Sequence, residues 1–182
     1  METTITEALA EIKTIEARLG KKRESIIPYL ARGGQLRDPM EDIDGGSAEF
    51  IRRERQAIND LEERVIRIRT AVQAKNQEVT LTLGERTRTL AGWLTWRREI
   101  SEGQKQYLAQ LFQTIQHTRN QARGRQVVQA GDTSAGKPEE TVIINVKESE
   151  LTAEIEAIEK TLGDLDGKLS LLNATTKITI DD

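Results

Sequence analysis

The residues in this sequence that could do chemistry are few. Cysteine is absent, and histidine occurs once, at His117. Without a thiol there is no thiolate nucleophile, no disulfide and no cysteine-based zinc site. A single imidazole, with no second histidine and no His-x-x-Glu pair, leaves metal binding and Ser-His or Cys-His nucleophiles without support. At about 100° per residue His117 falls outside the apolar seam of its helix, which suits a solvent-facing or hydrogen-bonding role. Aspartate and glutamate number 30. They recur on helix surfaces, and no facing pair with separated pKa values stands out. Asp38, Glu41, Asp42 and Asp44 crowd one stretch without the EF-hand spacing. "GDTSAGK" lacks the P-loop spacing and its strand-to-helix context. The expectation is therefore no catalytic residue, no metal, no cofactor and no enzyme. The chemical alternative is a hydrolase working with carboxylates alone.

The other stretch with chemical potential is "TLAGWLTWRREI", Thr89 to Ile100, which holds both tryptophans among six aromatic residues. It is either a ligand or nucleic-acid site, or the packed end of a helix. On a helical wheel Leu90, Trp93, Leu94 and Ile100 share one side, and Leu108, Leu111, Phe112 and Ile115 continue it. Trp93 then belongs to the seam, with Trp96 and Tyr107 on its shoulder. Base-stacking platforms need several exposed aromatics along a basic groove, so core or interface packing is the better account. Arg97 lies on the same side, with Ser101 and Gln104. A guanidinium there must snorkel, stack on an indole or find a carboxylate. An acid from another helix is the expected partner.

The elements that position these residues follow from periodicity. Ile5, Leu9, Ile12, Ile15, Leu19, Ile26 and Leu30 mark a first helix over about 4–31, capped by Thr4 or Thr3 with Glu7 and kinked or stopped near Pro28. Two Gly-Gly pairs, Pro39 and several acids make 33–47 a long loop, either a binding loop or a flexible crossover. A second helix over about 48–78 carries Ile51, Ile58, Val65, Val72 and Val79 seven apart, with Leu61 and Ile68 between them. Glu54 and Lys75 stand where that seam expects apolar residues, as frayed ends would allow. "EVTLTLGERTRTL" is a short extended connector turned by Gly84. A third helix covers about 89–123. Val127, Val128 and Val142 to Val146 around a polar tip, 131–140, predict a projecting β-hairpin over about 126–146. The last helix, about 147–173, steps through Leu151, Ile155, Ile158, Leu162, Leu165, Leu169 and Leu172 by fours and threes, with Asn145 and Glu148 as its capping box. "TTKITIDD" reads as an edge or partner strand.

The composition fits these rods: 36% hydrophobic, 31% charged and 3% aromatic, with a mean hydropathy of -0.56. No apolar run approaches the roughly 18 residues of a membrane span, and the N-terminus lacks a signal-peptide core. The expected setting is the cytoplasm, or a virion if phage-encoded. The net charge of -3 is uneven: net -2 over 1–47, +6 over 48–130 and -7 over 131–182. A basic middle and an acidic end attract each other, within one chain or between subunits.

Four stretches in order, "EALAEIKTIEARL", "RRERQAINDLEERVIRIRTAVQAKN", "RTLAGWLTWRREI" and "VIINVKESELTAEIEAIEKTLGDLDGKLSLLN", resemble the septicolysin-like family of small helical bacterial and phage-associated proteins of uncharacterised function. "INVKESEL" leading into "LGDLDGKLSLLN", and the "AKN" ending the second helix, carry the likeness most. It implies a small helical fold and no particular activity. No pore-forming segment accompanies it, and no functional residue transfers.

Together these features predict one mainly α domain over 1–182, an elongated antiparallel helical bundle or coiled coil of about four helices with a small β-hairpin. Narrow seams need mates, so the expected function is a non-enzymatic structural protein that self-associates, a phage-particle component being one version. Its interaction residues are Trp93, Trp96, Arg97, Leu151, Ile155, Ile158, Leu162, Leu165, Leu169 and Leu172. Other assembly proteins are further candidate partners. The competing function is a nucleic-acid-binding accessory module using Arg52, Arg53, Arg55, Arg64, Arg67, Arg69, Arg97 and Arg98.

Overall fold

Thr4 opens the first helix. Its hydroxyl accepts from the Glu7 N–H at 3.2 Å, and the Glu7 carboxylate accepts from the Thr4 N–H at 2.9 Å. This reciprocal capping box satisfies two N–H groups that a helix start leaves without partners. Helix α1 spans Ile5–Ile26 and buries Ile5, Ala8, Ile12, Ile15, Leu19 and Ile26. The first five keep a strict three-four step, which Leu9 breaks, and Leu9 faces solvent. Pro28 cannot continue the helix, so α1 ends before the expected 31. A single 3-10 turn, Ile27–Tyr29, follows, and Leu30 is exposed.

The structure, a computed structural model, describes residues 2–43, 45–129 and 143–180, with side chains omitted over 123–129. It is mainly α with two small antiparallel sheets. Its contacts fall into two compact units, Met1–Val79 with Leu169–Asp182, and Thr80–Lys168.

In the first unit α2, Ser47–Glu78, packs on α1. Ile58 and Ile68 enter the core, with Ile51, Leu61, Val65 and Val72 packed against it. Lys22–Glu54 at 3.0 Å, Arg23–Glu62 at 2.5 Å, Arg64–Glu11 at 2.8 Å and Arg69–Glu16 at 3.1 Å tie the two helices. Late residues of α1 meet early residues of α2, so the pair is antiparallel. Glu54 is thus anchored by Lys22 from α1, where a frayed seam position was expected. Strand β1, Glu2–Thr4, pairs antiparallel with the strand Lys177–Thr179, Thr3 opposite Ile178. Ile178 and Ile180 are buried in the α1–α2 core.

The second unit begins with a hairpin, β2 Thr80–Leu83 and β3 Arg86–Thr89. Gly84 turns it at φ 56°, a left-handed conformation that costs glycine no Cβ clash. Helix α3, Leu90–Thr95, a π turn, Trp96–Ile100, and α4, Ser101–Gln129, follow without a break. Helix α5, Glu148–Thr175, comes next and contributes residues to both units. The Lys177–Thr179 strand is β4. Arg97–Asp166 at 2.7 Å and Arg119–Glu148 at 2.5 Å set α5 antiparallel to α4.

The observed hairpin is therefore at 80–89. The one expected over 126–146 falls mostly on residues 130–142, outside the described ones. Residues 126–129 continue α4, and 143–147 form no strand. The valines at 127 and 128 sit in a chain already committed to i→i−4 bonding, and local β preference yields to that context. Glu148, expected in a box with Asn145, is the first residue of α5. Its carboxylate meets Arg119 and accepts from the Gln116 amide at 3.3 Å.

Candidate functional site: the groove at the tryptophan pair

Thr89 starts α3 by accepting the Gly92 N–H at 3.1 Å. That cap starts the turn that brings Trp93 against the hairpin. Trp93 is buried, and its indole N–H donates to the Leu81 carbonyl of β2 at 2.8 Å. The Arg88 guanidinium lies over the same indole, 5.0 Å from its centroid. Trp96 meets Trp93 edge to face, with centroids 5.6 Å apart and planes at 86°. Its own N–H donates to the Gln104 side-chain oxygen at 3.0 Å. Both indole donors are satisfied internally, and both rings are buried.

The π turn explains a departure from the ideal wheel. The Ser101 N–H reaches back five residues to the Trp96 carbonyl, one more than an α turn spans. The extra residue re-phases the helix. Trp96 and Ser101 become buried, while Ile100, expected in the seam, is 47% exposed. Tyr107, expected on the shoulder, is 61% exposed. Leu108 returns to the covered face. Arg97 does find an acid on another helix: its partner is Asp166 of α5.

Between these elements lies an open groove of about 340 Å³. Leu83, Gly84, Glu85 and Arg86 of the hairpin form one wall. Trp93, Trp96 and Gln104 form the next, and Glu154, Ala157, Ile158 and Thr161 of α5 close the third. Of the residues singled out from the sequence, Trp93, Trp96 and Ile158 come together here. Leu151 and Leu165 are buried, and Ile155 and Leu162 are half-buried on the same helix. Leu169 and Leu172 belong to the other unit. Glu85, Arg86, Gln104 and Glu154 were not singled out as a group. Nothing in their local spacing announces that a hairpin and two helices converge on them.

No family model, curated protein or solved structure matches this chain.

The groove's role has to follow from its own walls. Among the described residues no group of three or more His, Cys, Asp or Glu side chains could hold a metal ion. Among the described residues no helix is long and apolar enough to cross a membrane. His117 is exposed, with its Nε2 2.8 Å from the Gln121 amide. A smaller apolar hollow of about 210 Å³ lies farther along α4, between Leu111, Ile115 and the segment Ile143–Val146. Both hollows are lined by apolar side chains with polar neighbours.

Proposed function

We propose that this chain is a non-enzymatic assembly protein that self-associates through its helical seams. One observation carries the reading: the α5 seam is unfinished. Leu151 and Leu165 are buried, but Ile155, Ile158, Leu162, Leu169 and Leu172 each keep part of their surface in solvent. A fully buried Leu or Ile side chain is worth roughly 1.5–3 kcal/mol relative to exposure. A surface that completed the cover of five such residues would gain the remaining fraction of that value at each, and a further copy supplies it without any new component. Assembly inside a cell or into a phage particle are the settings in which such a chain would act.

The nucleic-acid alternative has less support. Arg64, Arg69 and Arg97 are held by Glu11, Glu16 and Asp166, and Arg52 is held by Glu49. Phosphate binding would have to break these pairs. Light scattering across a dilution series tests the proposal. A mass above the monomer that falls on dilution is expected, and a strict monomer at every concentration would end it. A gel shift at low salt would revive the alternative.

A further inference from the structure

Building on that self-associating reading, we propose that the tryptophan groove receives the 27–43 connector of a second copy, so that association runs head to tail. In that connector Ile27, Leu30, Leu36 and Ile43 stand 62–64% exposed. Four large apolar side chains thus stand exposed along one segment of the chain. The groove is the reverse shape, a hollow lined by Ala157 and Ile158 beside the buried rings of Trp93 and Trp96. It belongs to the unfinished seam through Ile158.

The charges match in both signs. Among the described residues, Glu85, Arg86 and Glu154 of the groove form no ion pair. Among the described residues Arg32 of the connector forms no ion pair; its guanidinium donates to the Leu36 carbonyl, and its charge acts on Asp38. Arg37 alone serves both Glu41 and Asp42, which leaves one negative charge over. Arg32 has Glu85 and Glu154 to meet, and the Glu41–Asp42 pair has Arg86. Such complementarity selects the partner and its register more than it adds affinity. A knob and a hollow on different surfaces make a heterologous contact, which closes into rings or extends into filaments.

Two variants of the full chain test this. Leu30→Lys with Leu36→Lys removes the knob. Ala157→Trp with Glu154→Lys blocks the hollow. All four positions are exposed, and circular dichroism confirms that the helices persist. Each variant alone should run as a monomer where the wild type is larger, its association weakened by at least about tenfold. An equimolar mixture should form a 1:1 dimer and nothing larger, because only one productive contact remains. Native mass spectrometry reads all three samples. If the wild type assembles and either variant still does so alone, or the mixture stays monomeric, the head-to-tail contact is wrong although self-association stands. A wild type that is monomeric throughout removes both.

Discussion

Asp38 shows how much a single side chain can organise. Its carboxylate accepts from the Met40 N–H at 3.0 Å, from the Ser47 N–H at 3.0 Å and from the Ser47 hydroxyl. It thereby caps α2 from nine residues upstream, in place of Gly46, which takes φ 95° at the N-cap and offers no side chain. These donors, led by the Ser47 hydroxyl, hold the Asp38 pKa down to about 2. A carboxylate whose folded pKa is depressed adds stability that is present above its unfolded pKa and lost as pH falls through the folded value. The cap's contribution should therefore fade between about pH 4 and pH 2. Urea midpoints of wild type and Asp38→Asn should differ at neutral pH and converge at the acid end of that window. A pH-independent difference would assign the loss to something other than the carboxylate. Trp93 carries a different kind of weight. Trp93→Ala removes a buried indole, its bond to Leu81 and the seat of Arg88, and should cost about 3–5 kcal/mol in denaturant unfolding.

At the level of the element, α5 separates stability from association. Leu165 is fully buried and Ile155 is half covered. Leu165→Ala should lower unfolding free energy by about 2–5 kcal/mol. Ile155→Ala should cost the monomer less, and its larger effect should appear in the association midpoint. Equal effects of the two on both measurements would refute the division. The α1–α2 pair offers a second contrast. Arg64–Glu11 is the more sheltered bridge, with side chains 17% and 35% exposed, while those of Arg69–Glu16 are 56% and 54% exposed. A double-mutant cycle should give a coupling of about 1 kcal/mol for the first and close to zero for the second, because solvent and salt screen the exposed pair.

At the scale of the whole molecule, residues 2–5 and 177–180 belong to one core. The β1–β4 ribbon brings residues 2–4 against 177–179, and Ile178 and Ile180 lie with Ile5, Ile58 and Ile68. Truncation after Thr175 removes both isoleucines, each worth roughly 1.5–3 kcal/mol when buried. It should lower the thermal midpoint of a chain whose helices are otherwise intact. An unchanged midpoint would mean that the ribbon only decorates the core. The same closure ties the last strand to the earliest helix, so this contact is non-local and is expected to form late in folding.

Local pattern was enough to find most of this molecule. The three-four step placed α1, α2 and α5 because an amphipathic helix writes its buried face into consecutive turns. The cap was legible as Thr4 or Thr3 with Glu7, since the partners lie within one turn, and the structure selects Thr4. The alternating residues of "EVTLTLGERTRTL" and "TTKITIDD" announced extended chain, though not what each strand would pair with. Tertiary structure alone decided the rest. It chose Asp166 for Arg97 and Lys22 for Glu54, it let Asp38 cap a helix it precedes by nine residues, and it joined β1 to β4. It also re-phased the tryptophan helix through a π turn, so that Trp96 went in and Ile100 came out. The physical reason is the same in each case. A periodic pattern states which face of an element avoids water, while the partner of a charge, a strand edge or an indole is set by residues far along the chain, brought near only by folding.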